Sequence, residues 1–203
     1  MLNRIRARIR AARRRAAAWR RIVAKRIRQL REALKRKRER NLATTMYDSV
    51  TIGEIPADAP AVAGYTSGLY PTFPILERRF PRAQKLSIAI SDAYDADCLD
   101  IENGDAVPAD APQWVRRQKR RGVKRPVVYS SVSSMREVIA ALAKDGLGLR
   151  DVRVWTAHYT YEAHICGPHT CGQLPWNADG CQFTDRALGR NLDQSLLRPD
   201  FFA

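Results

Sequence analysis

The chain predicts an α/β fold, a mostly parallel sheet with helices packed outside it, preceded by a long basic amphipathic helix. Three observations lead there. From residue 61 onward, short apolar runs bounded by Gly and Pro alternate with helix-start signals, the pattern of strands joined by crossovers. Polar residues suited to chemistry (Glu102, Ser130, Tyr159 and Asp185) fall at the carboxyl ends of those runs, where functional groups of such sheets collect. Charge is segregated as well. Residues 1–40 carry 18 Lys/Arg against Glu32 and Glu39, giving +16, while the rest carries 18 bases and 19 acids, giving −1; together these make the +15 of the 203-residue chain.

Residues 1–42 read as a helical arm. Ile5, Ile9, Ala12, Ala16, Trp19 and Val23 recur at spacings of four and three, and Ile27, Leu30 and Leu34 continue the stripe after one slip. Nothing breaks the helix before Asn41. Its like charges repel, so it needs a partner. Residues 5–34 suit a coiled-coil homo-oligomer, although alanines weaken the seam. The basic faces, with Arg13, Arg14, Arg15, Arg20, Arg21, Lys35, Arg36, Lys37 and Arg38, suit an anionic surface or, by phosphate neutralisation, nucleic acid. No base-reading motif accompanies them. No apolar run approaches the roughly 18 residues of a membrane span, and the basic N-terminus lacks the apolar core of a signal peptide.

Residues 43–60, with Gly53, Pro56 and Pro60, read as a linker and entry loop. Met46 would open the folded part. The domain proper is expected over 61–203. Ala61–Thr66 is the first predicted strand, and Thr72 could cap a short helix through Arg79. Leu86–Ser91 is the second strand, too close to the third for a helical crossover. Asp110 with Gln113 predicts a helix start, and Gly122 a stop. Arg125–Ser130 is a strand, Ser134 with Glu137 opens a helix over 135–144, and Val152–Ala157 and Gly180–Thr184 are the last strands. Asn191–Ser195 is expected to lead out toward the C-terminus. A regular eight-fold barrel usually needs 200 or more residues, and about 160 are available, so some helices must be missing.

The central stretch is Asp97-Cys-Leu-Asp-Ile-Glu102. Side chains alternate across a strand, so Asp100 and Glu102 share one face while Leu99 and Ile101 share the other. Two carboxyls so close form a candidate acid/base pair, because both cannot ionise freely and one retains its proton near neutral pH.

Other chemistry is weaker. His158, His164, Cys166, His169 and Cys171 are of metal-binding type, but their spacing fits no zinc pattern, and no metal or other cofactor is expected. Cys98 and Cys181 read as small core residues. The four cysteines default to reduced thiols. Gly146-Leu-Gly148 lacks the rest of a phosphate loop.

Taken in order, Asp100-Ile-Glu102 after an apolar strand, Arg125-Pro-Val-Val-Tyr129, Val154-Trp-Thr-Ala-His-Tyr159, Cys181-Gln-Phe-Thr184 and Leu192-Asp193 resemble the lysozymes of glycoside hydrolase family 25, in particular small domains similar to them encoded by phages of actinobacteria. The likeness covers residues 61–197 and leaves the arm without a counterpart. It implies an irregular, reduced β/α barrel (TIM-barrel-like) and a metal-free muramidase whose partner is bacterial cell-wall glycan. Glu102 would be the general acid, Asp100 would stabilise the transition state or orient the substrate's acetamido group, and Asp193 would support the site. Trp155 and Tyr159, on one face, would offer surface to a sugar ring, with Gln182 and Tyr65 as further substrate contacts. The family places an Asp near the end of its first strand; the first predicted strand here offers Thr66 and Ser67, which predicts a weakened site unless Asp48 of the entry loop substitutes. The resemblance also implies a place in a phage virion, or in the host cytoplasm before release. In the alternative reading the barrel is a noncatalytic virion module that the arm attaches to virion proteins.

Overall fold

The computed structural model describes residues 19–31, 34 and 43–203. The chain divides into two units, Met1–Leu42 and Ala43–Ala203. In the first, residues 19–31 and 34 are helical; Trp19, Ile27, Leu30 and Leu34 of the predicted stripe are exposed and Val23 is half-buried, while Ile22, outside the stripe, is exposed as well. Arg20 and Arg21 lie on this helix; Arg13, Arg14, Arg15, Lys35, Arg36, Lys37 and Arg38 lie outside the described residues.

The second unit is a closed barrel of eight strands in chain order. These are β1 (Thr44–Asp48), β2 (Ala61–Tyr65), β3 (Gln84–Ala89), β4 (Cys98–Asp100), β5 (Val127–Ser131), β6 (Arg153–Ala157), β7 (Gly180–Thr184) and β8 (Asp193–Leu197). Neighbours from β1 through β7 pair in parallel, and β8 runs antiparallel to both β7 and β1. Three helices cover the outside: α1 (Phe73–Arg79) after β2, α2 (Ala111–Arg120) after β4 and α3 (Met135–Lys144) after β5. The other connections carry no α-helix, as the chain length requires. The connector to β8, residues 185–192, is long enough for an antiparallel turn.

Strand alternation divides the apolar residues between two layers. Leu99, Ile101, Val128 and Val154 face outward and pack with Trp114, Val115, Met135 and Leu142 of the helices. Cys98 faces inward with Met46, Ala61, Ala63, Ile88 and Trp155. The barrel is thus filled, with small alanines on β2 making room for the rings of Tyr129 and Trp155, whose centroids are 4.4 Å apart. Phe201 joins this interior cluster. At the amino end of β6, Arg153 donates to the carbonyls of Asp200 at 2.9 Å and of Ala203, fixing the C-terminal residues there.

Several expectations need correction. The predicted entry loop contains β1, so the first strand is one element earlier than Ala61–Tyr65, and Met46 lies inside it with no exposed surface. Gly180–Thr184 is not the final strand, because β8 follows and closes the barrel. None of Thr72, Asp110 and Ser134 caps its helix through its side chain. Thr72 Oγ1 instead accepts the Tyr65 N–H at 3.1 Å, and Asp110 accepts the Val107 N–H at 2.9 Å.

Gly64 marks where α1 presses on β2. A Cβ there would lie 2.5 Å from Leu76 Cδ1 and 2.8 Å from Thr72 Oγ1. Gly64→Ala is therefore expected to destabilise the barrel by about 1–3 kcal/mol through overpacking, read as a lower urea midpoint. An unchanged midpoint would mean that α1 is not seated this closely.

Candidate active site

The carboxyl end of the barrel gathers acids from opposite ends of the sequence. Asp48 ends β1, Asp100 ends β4, and Asp193 begins β8. Because β8 is reversed, its first residue lies at the same end of the barrel as the last residues of the parallel strands. The register pairs Asp48 directly with Asp193, placing their side chains together on one face. Glu102 and Asp105 add two more carboxyls from the loop after β4.

Burial sorts these acids. Asp48 is 5% exposed and Asp100 3%, whereas Glu102 is exposed. Desolvation pushes the pKa of Asp48 well up, and the adjacent Asp193 and nearby Asp100 push it further. Asp193 is also raised, mainly by burial, while hydrogen bonds from Asp48 and Gln182 act the other way. Two carboxyls in contact cannot both ionise, so Asp48, the more deeply buried, holds the shared proton. Burial lifts Asp100 to about 8, with Glu102 and Asp105 adding to it and the Tyr65 hydroxyl opposing. Glu102 is raised by burial first, then by Asp105 and Asp193. One carboxyl oxygen of Asp48 and one of Asp100 find no hydrogen-bond partner among the described residues.

A chain of polar contacts rims the acids. Tyr129 Oη donates to Gln182 Oε1 at 2.6 Å, and Gln182 Nε2 donates to Tyr159 Oη at 3.1 Å. Gln182 is therefore a buried link that fixes two phenols. Tyr65 lies against Asp100, and Tyr159 is 46% exposed at the mouth. Trp155, expected to stack on a sugar, is only 1% exposed, and its Nε1 donates to Ser195 Oγ at 3.0 Å. It is barrel core. Thr66 and Ser67 follow the second strand rather than the first: Thr66 Oγ1 donates to the Ile88 carbonyl at 3.1 Å, and the residue that ends the first strand is Asp48.

Sequence reasoning missed further residues at this end. Leu69 and Tyr70 after β2, and Tyr161 after β6, are exposed on loops leaving carboxyl ends of strands. With Tyr159 they add exposed aromatic and apolar surface to the connections that leave this end of the barrel. The signal was present as Tyr and Leu in Gly/Pro-rich connections, but exposure is not legible from composition. The fold also gathers His158, His164, Cys166 and Cys171 with Cys181, a grouping that linear spacing had dismissed. His169 is exposed and outside it.

No protein family matches the chain, and no curated protein does. Solved structures that share its fold include an uncharacterized protein of B. stearothermophilus, with a TM-score of 0.54 and 14% identity over 78% of this chain and 98% of that one. Another is the spore cortex lytic enzyme SleM of Clostridium perfringens, with a TM-score of 0.51 and 15% identity over 79% of this chain and 68% of that one. At these identities the likeness is one of fold.

The buried acids have a consequence for stability. An Asp100 pKa near 8 exceeds the ordinary aspartate value, so the folded state keeps a proton that the unfolded chain gives up. That stabilising contribution is complete below pH about 4 and disappears as pH rises through about 8. Asp100→Asn cannot ionise, so its melting temperature relative to the parent is expected to improve steadily from pH 4 to pH 9. Parallel pH profiles for the two proteins would contradict the shift.

Proposed function

We propose that the barrel is a peptidoglycan-directed glycosidase of the muramidase type, acting without metal on the β-1,4 bond between N-acetylmuramic acid and N-acetylglucosamine. The observation that carries this reading is the convergence of Asp48, Asp100 and Asp193 from three strands beneath the exposed Glu102. Glycoside cleavage passes through an oxocarbenium-like state, which needs a proton donor for the leaving oxygen and negative potential beneath the developing cation. Glu102 is the exposed member of the cluster, so it alone among these four can reach a bond in a polymer too bulky to enter the barrel. Its raised pKa suits a general acid. Asp100, protonated near neutral pH, orients the acetamido group, and the Asp48–Asp193 pair, which shares one negative charge, supplies the potential. The full set of four acids supports an active site. The spore cortex lytic function of a structure with the same fold is consistent with a cell-wall glycan as substrate, and the order of motifs supports the kinship to family 25 lysozymes and their phage-encoded relatives.

Tyr159, Tyr161 and Tyr70 provide the apolar faces on which sugar rings stack. The acidic mouth disfavours polyanions as substrates. The cationic arm complements it by tethering the barrel to a polyanion or to a second copy, its exposed Trp19, Ile22 and Leu30 offering the apolar half of that contact.

Release of reducing ends from purified peptidoglycan tests the assignment. Glu102→Gln and Asp193→Asn are each expected to lower the rate by about 10²–10⁴-fold with the fold intact, because Asp48 carries the pair's proton and Asp193 its charge. Tyr159→Ala is expected to weaken substrate binding while leaving stability nearly unchanged, whereas Trp155→Ala should cost about 3–5 kcal/mol of stability as a core deletion. Equal, negligible release by the parent and Glu102→Gln would instead favour the noncatalytic virion module.

A further inference from the structure

Away from the acids, the long connection from β6 to β7 (residues 158–179) contains no helix or strand. Loops of this length inside a compact domain need something to hold them. Cys181 of β7 faces outward beneath this loop, in the cluster between sheet and helices, with Cys166 of the loop packed beside it. Neither thiol has exposed surface. Around them, four potential ligand atoms converge. Cys166 Sγ lies 3.7 Å from Cys181 Sγ, 3.4 Å from His164 Nε2 and 3.4 Å from His158 Nδ1. His164 Nε2 lies 3.5 Å from Cys181 Sγ and 3.1 Å from His158 Nδ1.

These are five of the six edges of a metal polyhedron; His158 and Cys181, the remaining pair, belong to two three-ligand groups that share Cys166. With zinc bonds of roughly 2.3 Å to sulfur and 2.0–2.1 Å to nitrogen, a tetrahedron has edges of about 3.8 Å between sulfurs, about 3.5 Å from sulfur to nitrogen and about 3.3 Å between nitrogens. Ordinary hydrogen bonding would pair each thiol with one imidazole; it gives no reason for both imidazoles and Cys181 to converge on Cys166 Sγ, since thiols are weak donors. The outer contacts of His164 agree. Its Nδ1 lies 2.8 Å from the Glu162 carbonyl, so that nitrogen carries the hydrogen and Nε2 presents its lone pair to the thiols. Metal-bound histidines are held by this kind of outer hydrogen bond.

We infer that His158, His164, Cys166 and Cys181 form a structural site for a soft, tetrahedral divalent metal ion of the zinc class. Four protein ligands leave no open position, so the ion organises and does not catalyse. It ties the end of β6, the loop and β7 into one unit, doing what a crossover helix would do elsewhere in the barrel. Since His158 directly precedes Tyr159, the ion also fixes the Tyr159 phenol at the mouth. Cys171, whose sulfur groups within 4.8 Å of ligand atoms of His158 and Cys166, is a neighbouring thiol outside the four.

The test uses the full chain, reduced, stripped with chelator and titrated with Co²⁺ and then Zn²⁺. One Co²⁺ per chain is expected, with intense visible bands of tetrahedral geometry and thiolate charge-transfer absorption, displaced by Zn²⁺. Zinc should raise the melting temperature in proportion to the logarithm of its free concentration above Kd. X-ray absorption of the zinc form should show two sulfur and two nitrogen ligands, a readout that needs no variant. Cys166→Ser should abolish the cobalt bands and His169→Ala should keep them. Substoichiometric binding, six-coordinate cobalt without sulfur, or a Cys166–Cys181 disulfide with no retained metal in protein purified without reductant would each overturn the site.

Discussion

The reversal of one strand is the constraint on which this molecule depends. Seven parallel strands leave one gap in the barrel, and β8 fills it by running backward between β7 and β1. The same reversal puts the first residue of β8 at the carboxyl mouth. Asp193 is thereby registered against Asp48, and two acids from opposite ends of the barrel sequence become neighbours. Closure of the fold and assembly of the acidic cluster are one event.

From that pairing the chemistry follows. Burying Asp48 and Asp100 at the end of the barrel costs solvation, so both retain protons well above the ordinary range. Glu102, on the loop beyond β4, remains accessible above them. Burial thus divides labour among similar carboxyls, with buried acids setting the field and an exposed one able to meet a polymer. The interior rings of Tyr129 and Trp155 hold the barrel apart beneath the site, while the Tyr129–Gln182–Tyr159 chain carries that rigidity outward to the rim.

How much of this the sequence disclosed depended on whether a signal was local. Strands such as β5 and β6 are continuous apolar runs and were plain, as was the outward packing of Leu99 and Ile101 opposite Asp100. Thr44–Asp48 was not, because a five-residue strand with two leading threonines, placed between a charged arm and a proline-rich loop, has neither a long apolar run nor clear punctuation. Its loss displaced the first strand by one element and hid the role of Asp48. Asp193 was identified only through resemblance, since Asp-Gln-Ser opens β8 with three polar residues. Trp155 and Tyr159 share a face, but their depth differs by more than alternation can reveal. Capping motifs at Thr72, Asp110 and Ser134 predicted the helices, although none of these side chains caps its helix and those of Thr72 and Asp110 bond elsewhere. The His/Cys grouping failed for a related reason: spacing rules read along a loop, and the decisive fourth group, Cys181, belongs to the following strand.

The central claim, that barrel closure forces carboxyls together in a desolvated mouth and keeps their protons on, is tested most directly by the side-chain carboxyl ¹³C shifts of Asp48, Asp100 and Glu102 followed by NMR against pH. Asp100 should remain in the protonated position at pH 6–7 and move through its midpoint near 8, and Asp48 should keep its proton well above the ordinary aspartate range. Titration of both near 4, the ordinary aspartate value, would contradict it.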